Sequence, residues 1–335
     1  MKILLSCSLP FSLAHGGQAI QIQQTMAALQ DIGVAVEPLR WWDENQKGDL
    51  IHYFGRMPAD QIRFAHQKGL KVIIAELLTG AGSHTNTQRL VRRIFRWGAE
   101  NLAPRGFAAA FQWESYQLAD GFTALTSWEK HLMEYKFDAA PERVFVIPNG
   151  VEGVFFDSPQ TPRGEWLVCT ATITERKRVL ELAQAAIAAQ TPVWMIGKAY
   201  ADVDAYAQDF FKLARGNPKF IRYEGAISDR TELAKIYRAA RGFVLLSAME
   251  SLSLSALEAA ACECPLLLSD LPWAHSSFVG AAQFCPVTQS TSATAAALKK
   301  FYAAAPRLPC PPRPATWREV AGQFKSVYET VLKQP

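Results

Sequence analysis

Short apolar runs alternate with helix-like patterns along the whole chain. In the first half, six runs have the length and apolar content of buried strands. They are Lys2–Leu5, Val34–Val36, Asp49–Tyr53, Lys71–Leu77, Gly121–Leu125 and Val144–Ile147. Between the first two runs, Ile22, Met26 and Leu29 recur at helical spacing over residues 19–30. Buried strands that alternate with helices predict a parallel sheet covered on both faces.

The second half of the chain repeats this alternation. Strands are predicted at Trp166–Ala171, Val193–Ile196, Phe220–Tyr223, Gly242–Leu246 and Pro265–Leu268. Helical patterns are predicted at Val179–Ala189, Ala201–Ala214, Thr231–Ala240 and Thr316–Leu332. A segment rich in Pro and Gly, residues 148–164, separates the two series and is typical of a linker. The chain is therefore predicted to form two doubly wound α/β domains, with ligand-binding residues directly after the strands.

Composition and charge exclude several classes of protein. Of the 335 residues, 49% are hydrophobic and 20% are charged, which excludes a disordered, collagen-like or disulfide-stapled chain. The net charge of +4 is too small to require a nucleic-acid partner. The six cysteines lack metal-ligand spacing, and polar residues interrupt the apolar start of the chain. We therefore expect a cytoplasmic protein with free thiols, packed as small hydrophobic residues, and no metal site.

Three segments that follow predicted strands carry candidate chemistry. The first, His15-Gly16-Gly17, is either a plain turn or a close approach of the backbone to an anion at a helix start. It is not a dinucleotide fingerprint, because Gly-x-Gly-x-x-Gly is absent. The second segment, residues 172–178, contains three consecutive cations that end at Arg178. Cations at a helix start oppose the helix dipole, so they are either a solvated turn or the site of an anion such as a diphosphate.

The third segment, residues 247–260, follows the strand Gly242–Leu246. Ser251 or Ser253 is expected to cap a helix here, with Glu250 in the loop before it. Glu258 interrupts an otherwise apolar helix, where a carboxylate is costly unless it is hydrogen-bonded. It is either exposed at an edge or satisfied by sugar or ribose hydroxyls.

Taken together and in order, these segments resemble the retaining glycosyltransferases of family 4 (glycosyl transferases group 1). The resemblance covers nearly the whole chain and includes the Glu-x7-Glu motif formed by Glu250 and Glu258. It also includes Val146-Ile147-Pro148-Asn149-Gly150-Val151, Tyr223-Glu224-Gly225-Ala226-Ile227-Ser228 and Ala259-Ala260-Ala261-Cys262-Glu263-Cys264-Pro265. It implies the GT-B fold, in which two Rossmann-like domains face a cleft. The expected parts are an acceptor-side domain over 1–150, a nucleotide-sugar donor domain over 163–313 and a C-terminal helix over 314–335 that crosses back to the first domain.

The resemblance also implies roles for individual residues. Lys177 would neutralise the donor diphosphate, Glu250 would sit near the transferred sugar, and Glu258 would bind ribose hydroxyls. Backbone amides at the helix start would bind phosphate, and Gly17 would let the backbone of the first domain close on the diphosphate or acceptor. The remaining implied nucleotide contacts are Gly17, Gly197, Ile227, Ser253 and Leu254.

The sequence departs from the family pattern at three positions, one of which is the acidic position after Pro272-Trp273-Ala274-His275, where Ser stands. Ala171-Thr172 stands where Gly-Arg is usual, so Thr172 takes the place of a cation and Arg176 or Arg178 is expected to supply the charge. Leu77 stands where a sugar-facing His is usual, and His84, in a Gly-rich loop, is taken as its substitute.

Positive charge is concentrated in residues 88–106. This segment contains five arginines and one glutamate, and its net charge of +4 equals the net charge of the whole chain. Apolar residues interleave with the arginines, as in a basic amphipathic helix at a membrane surface. The segment is either peripheral at the inner membrane face or a helix that packs its apolar side on the sheet, with its arginines solvated or bound to an acidic acceptor.

The resemblance implies a retaining, metal-independent glycosyltransferase of the EC 2.4 class. Its donor would be a UDP-, GDP- or ADP-linked sugar, used as co-substrate without a further cofactor, and its acceptor a glycan, a lipid-linked hydroxyl or another hydroxyl. Asp202-Val203-Asp204 has the spelling of a metal motif but lies at a predicted helix start. The alternatives are a catalytically weak subunit that binds a nucleotide sugar or glycan, and a nucleotide-sugar epimerase of the same fold.

Overall fold

A computed structural model describes residues 1–8, 16–82, 86–101, 113–157, 159, 161–201 and 203–334 of the chain. The chain divides into two units. The first unit is Met1–Gly150 with Trp317–Pro335, and the second is Val151–Thr316. The change of unit after Gly150 lies inside the Pro- and Gly-rich segment.

The strands and helices are numbered in chain order. The strands are β1 (Lys2–Cys7), β2 (Ala35–Pro38), β3 (Leu50–Phe54), β4 (Lys71–Ile74), β5 (Gly121–Ala124), β6 (Val144–Val146), β7 (Leu167–Thr170), β8 (Val193–Ile196), β9 (Ile221–Tyr223), β10 (Gly242–Leu245), β11 (Leu266–Ser269) and β12 (Ala282–Cys285). The helices are α1 (Gly17–Asp31), α2 (Ala59–Gln67), α3 (Thr79–Gly82), α4 (Asn86–Asn101), α5 (Ser115–Leu118), α6 (Ser127–Phe137), α7 (Val154–Asp157), α8 (Val179–Ala189), α9 (Ala205–Gly216), α10 (Arg230–Ala239), α11 (Leu254–Ala261), α12 (Pro272–Phe278), α13 (Thr291–Ala304) and α14 (Trp317–Leu332). Short 3-10 turns occur at Pro141–Arg143, Glu175–Lys177 and Ala305–Arg307.

The first unit is built on a six-stranded parallel sheet of order β2-β1-β3-β4-β5-β6. Strands β3 and β5 are buried along their whole length, which explains why each is apolar except for one polar residue, His52 and Thr123 respectively. On one face of the sheet, Tyr116 stacks between Phe122 and Phe137 at centroid distances of 5.2 and 4.2 Å. These rings belong to the core that attaches α5 and α6 to the strands.

Helix α14 returns the end of the chain to the first unit. It packs against α1, and its buried face contains the aromatic and aliphatic residues that the periodicity predicts. The hydroxyl of Tyr328 is 2.8 Å from Nδ1 of His52 on β3, and both side chains are completely buried. The expected C-terminal helix that crosses back to the first domain is therefore confirmed.

The second unit contains a parallel sheet of order β12-β11-β10-β7-β8-β9. Strand β12 was not predicted, because its run is short and lies in a stretch rich in Ser, Thr and Gln. The strand order reverses between β7 and β10, which are neighbours in the sheet but not in sequence. In open α/β sheets, such a switch point opens a crevice at the carboxyl ends of the strands. The predicted doubly wound architecture of both halves is confirmed.

Two further expectations concern cysteines and membranes. All six cysteines are free thiols, and four of them are buried. The expectation that the thiols pack as small hydrophobic residues is wrong for Cys310, which is exposed. Within the described ranges, every helix is too short or too polar to cross a bilayer.

Candidate functional site

The loops after four adjacent strands of the second sheet are joined to one another at its carboxyl edge. A backbone hydrogen bond joins the loop after β8 to the loop after β9, from Gly197 N to Gly225 O (3.0 Å). A second joins the loops after β7 and β8, from Ile173 N to Lys198 O (3.1 Å), and a third joins the loops after β10 and β7, from Ala248 N to Arg176 O (2.8 Å). Segments that are far apart in sequence therefore form one surface around the switch point.

The backbone conformation at this edge requires a glycine at position 197. Its φ is +155°, and a Cβ atom at this position would lie 1.9 Å from the carbonyl oxygen of Ala171. Only glycine allows the loops after β7 and β8 to approach so closely. Gly197, expected near the nucleotide, thus lies where the backbone closely approaches the loop after β7, and its role at the nucleotide stays a prediction.

Two of the three consecutive cations converge on Glu250. Nζ of Lys177 forms an ion pair with Oε1 of Glu250, and Nη1 of Arg176 is 3.2 Å from the same oxygen. Arg176 also donates to the carbonyl oxygen of Met249 at 3.0 Å. The side chains of Lys177 and Glu250 are 12% and 9% exposed, so the pair is largely removed from solvent. Two predicted site residues, one after β7 and one after β10, are therefore in direct contact.

The third cation points elsewhere. Arg178 adopts the left-handed conformation (φ 52°) before α8, and its guanidinium donates to the carbonyl oxygen of Val287. Of the two arginines expected to replace the missing cation at Thr172, Arg176 lies beside Lys177. Thr172 itself is half-buried in the loop after β7.

Helix α11 begins beside this cluster. Ser253 is its N-cap, and the hydroxyl accepts a hydrogen bond from the amide of Ala256 at 3.4 Å. Of the two serines expected to cap the helix, Ser253 does so. Leu254 is the first residue of the helix, so its amide lies at the positive end of the helix dipole.

Glu258 is buried on α11, but protein groups bind its carboxylate. The guanidinium of Arg230 contacts Oε1, and the hydroxyl of Tyr237 is 3.3 Å from Oε2. The interpretation of Glu258 as an exposed edge residue is wrong, since it is 6% exposed. Burial raises the pKa of Glu258, and the positive charge of Arg230 opposes that shift.

Arg230, which no sequence motif indicates, is a central residue of this cluster. Its Nε is 3.2 Å from both carboxylate oxygens of Glu152, and its guanidinium lies 4.7 Å from the ring centre of Phe155. Arg230 thus joins Glu152 and Glu258, which are distant in sequence. The sequence marks Arg230 only as a single cation between the matched segment that ends at Ser228 and the predicted helix Thr231–Ala240.

Two buried hydroxyl groups at this edge lack partners among the described residues. They are Oγ1 of Thr174, in the loop after β7, and Oγ of Ser247, in the loop after β10. Buried polar atoms are normally hydrogen-bonded, so each is a candidate contact for a ligand or an ordered water.

The remaining predicted residues lie outside this cluster. Ile227 is half-buried in the loop between β9 and α10. Gly17 belongs to the first unit, where it is the first residue of α1. His84 and His15 lie outside the described residues.

The first unit has its own polar cluster after β3 and β4. Arg56 binds Glu76 through Nε and Nη2, both at 2.8 Å, and the hydroxyl of Tyr116 donates to Glu76 at 2.6 Å. Glu76 directly precedes Leu77, which replaces the expected His. The carboxyl edge of the first sheet therefore holds an ion pair next to that position.

Residues 164–304 match the family model described as glycosyl transferases group 1. This segment belongs to the glycosyl transferases group 1 family. We call this segment the group 1 domain. It contains the switch point, the two cations Arg176 and Lys177, and Glu258. The predicted group and the predicted enzyme class, glycosyltransferase, are confirmed, and the narrower assignment to family 4 stays a prediction. A search of curated proteins found no match to the chain.

Solved structures show the fold of the chain beyond the group 1 domain. A glycosyltransferase from Rickettsia africae matches with 12% identity over 100% of this chain and 99% of its own, at a TM-score of 0.66. Sucrose-phosphate synthase from Thermosynechococcus elongatus matches with 17% identity over 99% of both chains, at 0.71. HepE from Anabaena, solved with UDP, matches with 13% identity over 98% of this chain and 100% of its own, at 0.66. The predicted GT-B fold is confirmed.

Proposed function

We propose that the chain transfers a sugar from a nucleotide-diphosphate sugar to a hydroxyl acceptor. The observation that carries the proposal is the convergence of Lys177 and Arg176 beside the N-terminus of α11, at the switch point of a group 1 domain. Two cations and the amides of a helix start suit a diphosphate, whose negative charge increases as the donor bond breaks.

A uridine nucleotide is the first donor to test. The structures of HepE contain UDP, UDP with glucose, and UDP-glucose. The pneumococcal O-GlcNAc transferase GtfA was solved with UDP and GlcNAc. In this chain, Glu258 would accept hydrogen bonds from ribose hydroxyls, because each carboxylate oxygen retains acceptor capacity beside its bond to Arg230 or Tyr237.

The proposed reaction keeps the configuration of the anomeric carbon. The bond between that carbon and the diphosphate oxygen breaks, and the acceptor oxygen bonds to the carbon on the same face. The acceptor proton passes to the departing diphosphate oxygen. Lys177, Arg176 and the first amides of α11 would stabilise the diphosphate, while Glu250 holds the two cations and lies near the transferred sugar.

The proposal assigns the stabilisation of the leaving group to these residues and requires no metal. Asp204 belongs to the Asp-Val-Asp sequence that resembles a metal-binding motif. It caps α9 by accepting a hydrogen bond from the amide of Ala207 at 3.1 Å. Its carboxylate therefore has a structural use at a helix start. Asp202 lies outside the described residues.

A calorimetric screen of UDP, GDP and ADP, followed by a transfer assay with the sugar nucleotides of the base that binds, tests this function. We expect one base to bind, turnover to persist in EDTA, and NMR to show a product with the anomeric configuration of the donor. Binding without turnover on any donor or acceptor would favour a catalytically weak binding subunit. Free nucleotide formed without an acceptor would favour hydrolysis of the donor by water, either simple or coupled to epimerisation of the sugar.

We propose that the acceptor group is a hydroxyl. A hydroxyl on a glycan or a lipid-linked glycan fits the resemblance. A mutant of TarM from S. aureus, which has a similar fold, was solved in complex with alpha-GlcNAc-glycerol and UDP. We propose that the protein acts in the cytoplasm.

A further inference from the structure

Helix α4 turns its apolar side outward. Five large apolar side chains on this helix are each between 50% and 61% exposed: Leu90, Val91, Ile94, Phe95 and Trp97. At about 100° per residue, these positions share an arc of roughly 160°. An amphipathic helix of a globular domain normally buries such an arc. The expectation that this helix packs its apolar side on the sheet is therefore wrong.

The polar side of α4 attaches it to the first unit. Arg96 is buried, and its guanidinium donates to the carbonyl oxygen of Lys136 at 2.5 Å and lies 3.0 Å from a carboxylate oxygen of Asp138. Arg93 lies over the ring of Tyr135, with its guanidinium carbon 4.5 Å from the ring centre. Contacts to the C-terminal part of α6 thus fix the orientation in which the apolar arc faces solvent.

Positive charge borders the apolar arc. Arg92 and Arg93 are exposed at its margins, and the sequence of α4 contains four arginines and one glutamate. Burial, together with the nearby guanidinium groups of Arg92 and Arg56, lowers the pKa of Lys136. An apolar arc bordered by cations is complementary to a membrane interface with anionic head groups, where apolar side chains enter the acyl boundary and arginines bind phosphate.

We propose that α4 docks the protein on an anionic membrane surface. The apolar arc enters the interface while Arg92 and Arg93 contact lipid phosphates. A second copy of this chain would be a weaker match, because the exposed arginines at the margins of two such helices would repel each other. The proposal is separate from the proposed transfer reaction, since vesicle binding needs neither donor nor acceptor.

Cosedimentation of the full chain with vesicles tests the proposal. We expect binding to vesicles of phosphatidylcholine mixed with phosphatidylglycerol, weaker binding to phosphatidylcholine alone, and release at high salt, because salt screens the arginine contacts. Ile94→Asp should lower the partition coefficient about tenfold or more, and Arg92→Glu should lower it on anionic vesicles only. Both residues are exposed, so the variants should fold, as circular dichroism will show.

Two matched variants serve as controls. Val279→Asp places the same charge on an aliphatic residue that is 73% exposed in the second unit, and Lys47→Glu reverses an exposed cation elsewhere in the first unit. Both should bind vesicles like the wild type. The absence of binding to anionic vesicles at low salt would overturn the proposal. A dimer in light scattering that Ile94→Asp dissociates, together with unchanged vesicle binding by that variant, would assign the arc to a second copy instead.

Discussion

Lys177 and Glu250, 73 positions apart in sequence, form an ion pair at the switch point of the second sheet. One follows β7 and the other follows β10, and Arg176 reaches the same carboxylate oxygen. The cations proposed to bind diphosphate are thus held by the carboxylate proposed to face the sugar. Glu250 therefore fixes the position of both cations.

Lys177→Ala should weaken the binding of the nucleotide diphosphate identified by the calorimetric screen. The expected loss is about 1–3 kcal/mol, the scale of a charge-assisted hydrogen bond. Titration calorimetry measures it, with Lys212→Ala, an exposed lysine on α9, as the control. Equal affinity in the two variants would remove Lys177 from the diphosphate site.

Glu250→Gln should separate binding from turnover. The amide keeps the shape of the side chain but removes the charge that competes with diphosphate for Lys177 and Arg176. We expect nucleotide affinity to stay equal or rise, and kcat to fall by about 100-fold, since the group facing the sugar is altered. A parallel loss of affinity and kcat would show instead that Glu250 organises the binding loops.

Arg230→Gln should destabilise the chain in a pH-dependent way. The groups that face Glu258 are Arg230 and Tyr237 from α10 and Glu152 from the segment before α7. Without Arg230, burial and Glu152 raise the pKa of Glu258 further, so the folded chain retains a proton that the unfolded chain releases. Stability of the variant should then fall as the pH rises from about 5 to 8, with a total cost of about 3 kcal/mol.

Urea unfolding of the full chain at several pH values measures this effect. Arg230→Lys is the matched variant, because it keeps a positive charge near Glu258 and should retain a flatter pH profile. A loss in Arg230→Gln that is the same at pH 5 and pH 8 would mean that Arg230 acts through packing on Phe155 and not through its charge.

Gly197→Ala should disrupt the carboxyl edge of the second sheet. A Cβ there would meet the backbone oxygen of Ala171 at 1.9 Å, and backbone cannot yield as a flexible side chain does. We expect a loss of about 3 kcal/mol or more in the free energy of unfolding. Gly216→Ala is the control. A Cβ at Gly216 would meet nothing within 4 Å, so this variant should leave the free energy of unfolding unchanged. A neutral Gly197→Ala would contradict the close approach of the two loops.

His52 should make the chain less stable in acid. Complete burial lowers the pKa of His52 from 6.5 to about 3, so only the unfolded chain takes up this proton between those values. Stability is therefore lost as the pH falls below 6.5, by up to about 1.4 kcal/mol per pH unit. His52→Asn should reduce that slope in denaturant unfolding, whereas His131→Asn, at an exposed position, should not change it.

Most of the strands were predictable, because a buried parallel strand needs a continuous apolar run. Of the twelve strands in the described part of the chain, the pattern located eleven and missed β12, whose four residues include Gln283 and lie in a polar stretch. Helix ends depend on local caps, which apolar periodicity does not show. The helix predicted from Ala201 begins at Ala205, because Asp204 supplies the cap.

The sequence indicated which loops form the candidate site, but not which of its side chains are in contact. Residues directly after strands were expected to meet at one edge, and the loops after β7, β8, β9 and β10 do so. The ion pair of Lys177 with Glu250 and that of Arg230 with Glu258 were not predicted. Each joins loops or helices whose proximity depends on strand order.

By itself, the sequence determined the alternation of strands and helices, the family of the second half and the concentration of arginines near residue 90. These are local properties, since apolar periodicity, motif spacing and charge all depend on near neighbours in the chain. Only the tertiary structure decided that Arg230 holds Glu258, and that α4 is attached by Arg96 with its apolar side outward. Such facts depend on which distant groups share a buried environment, and hydrophobic pattern alone carries no information about that pairing.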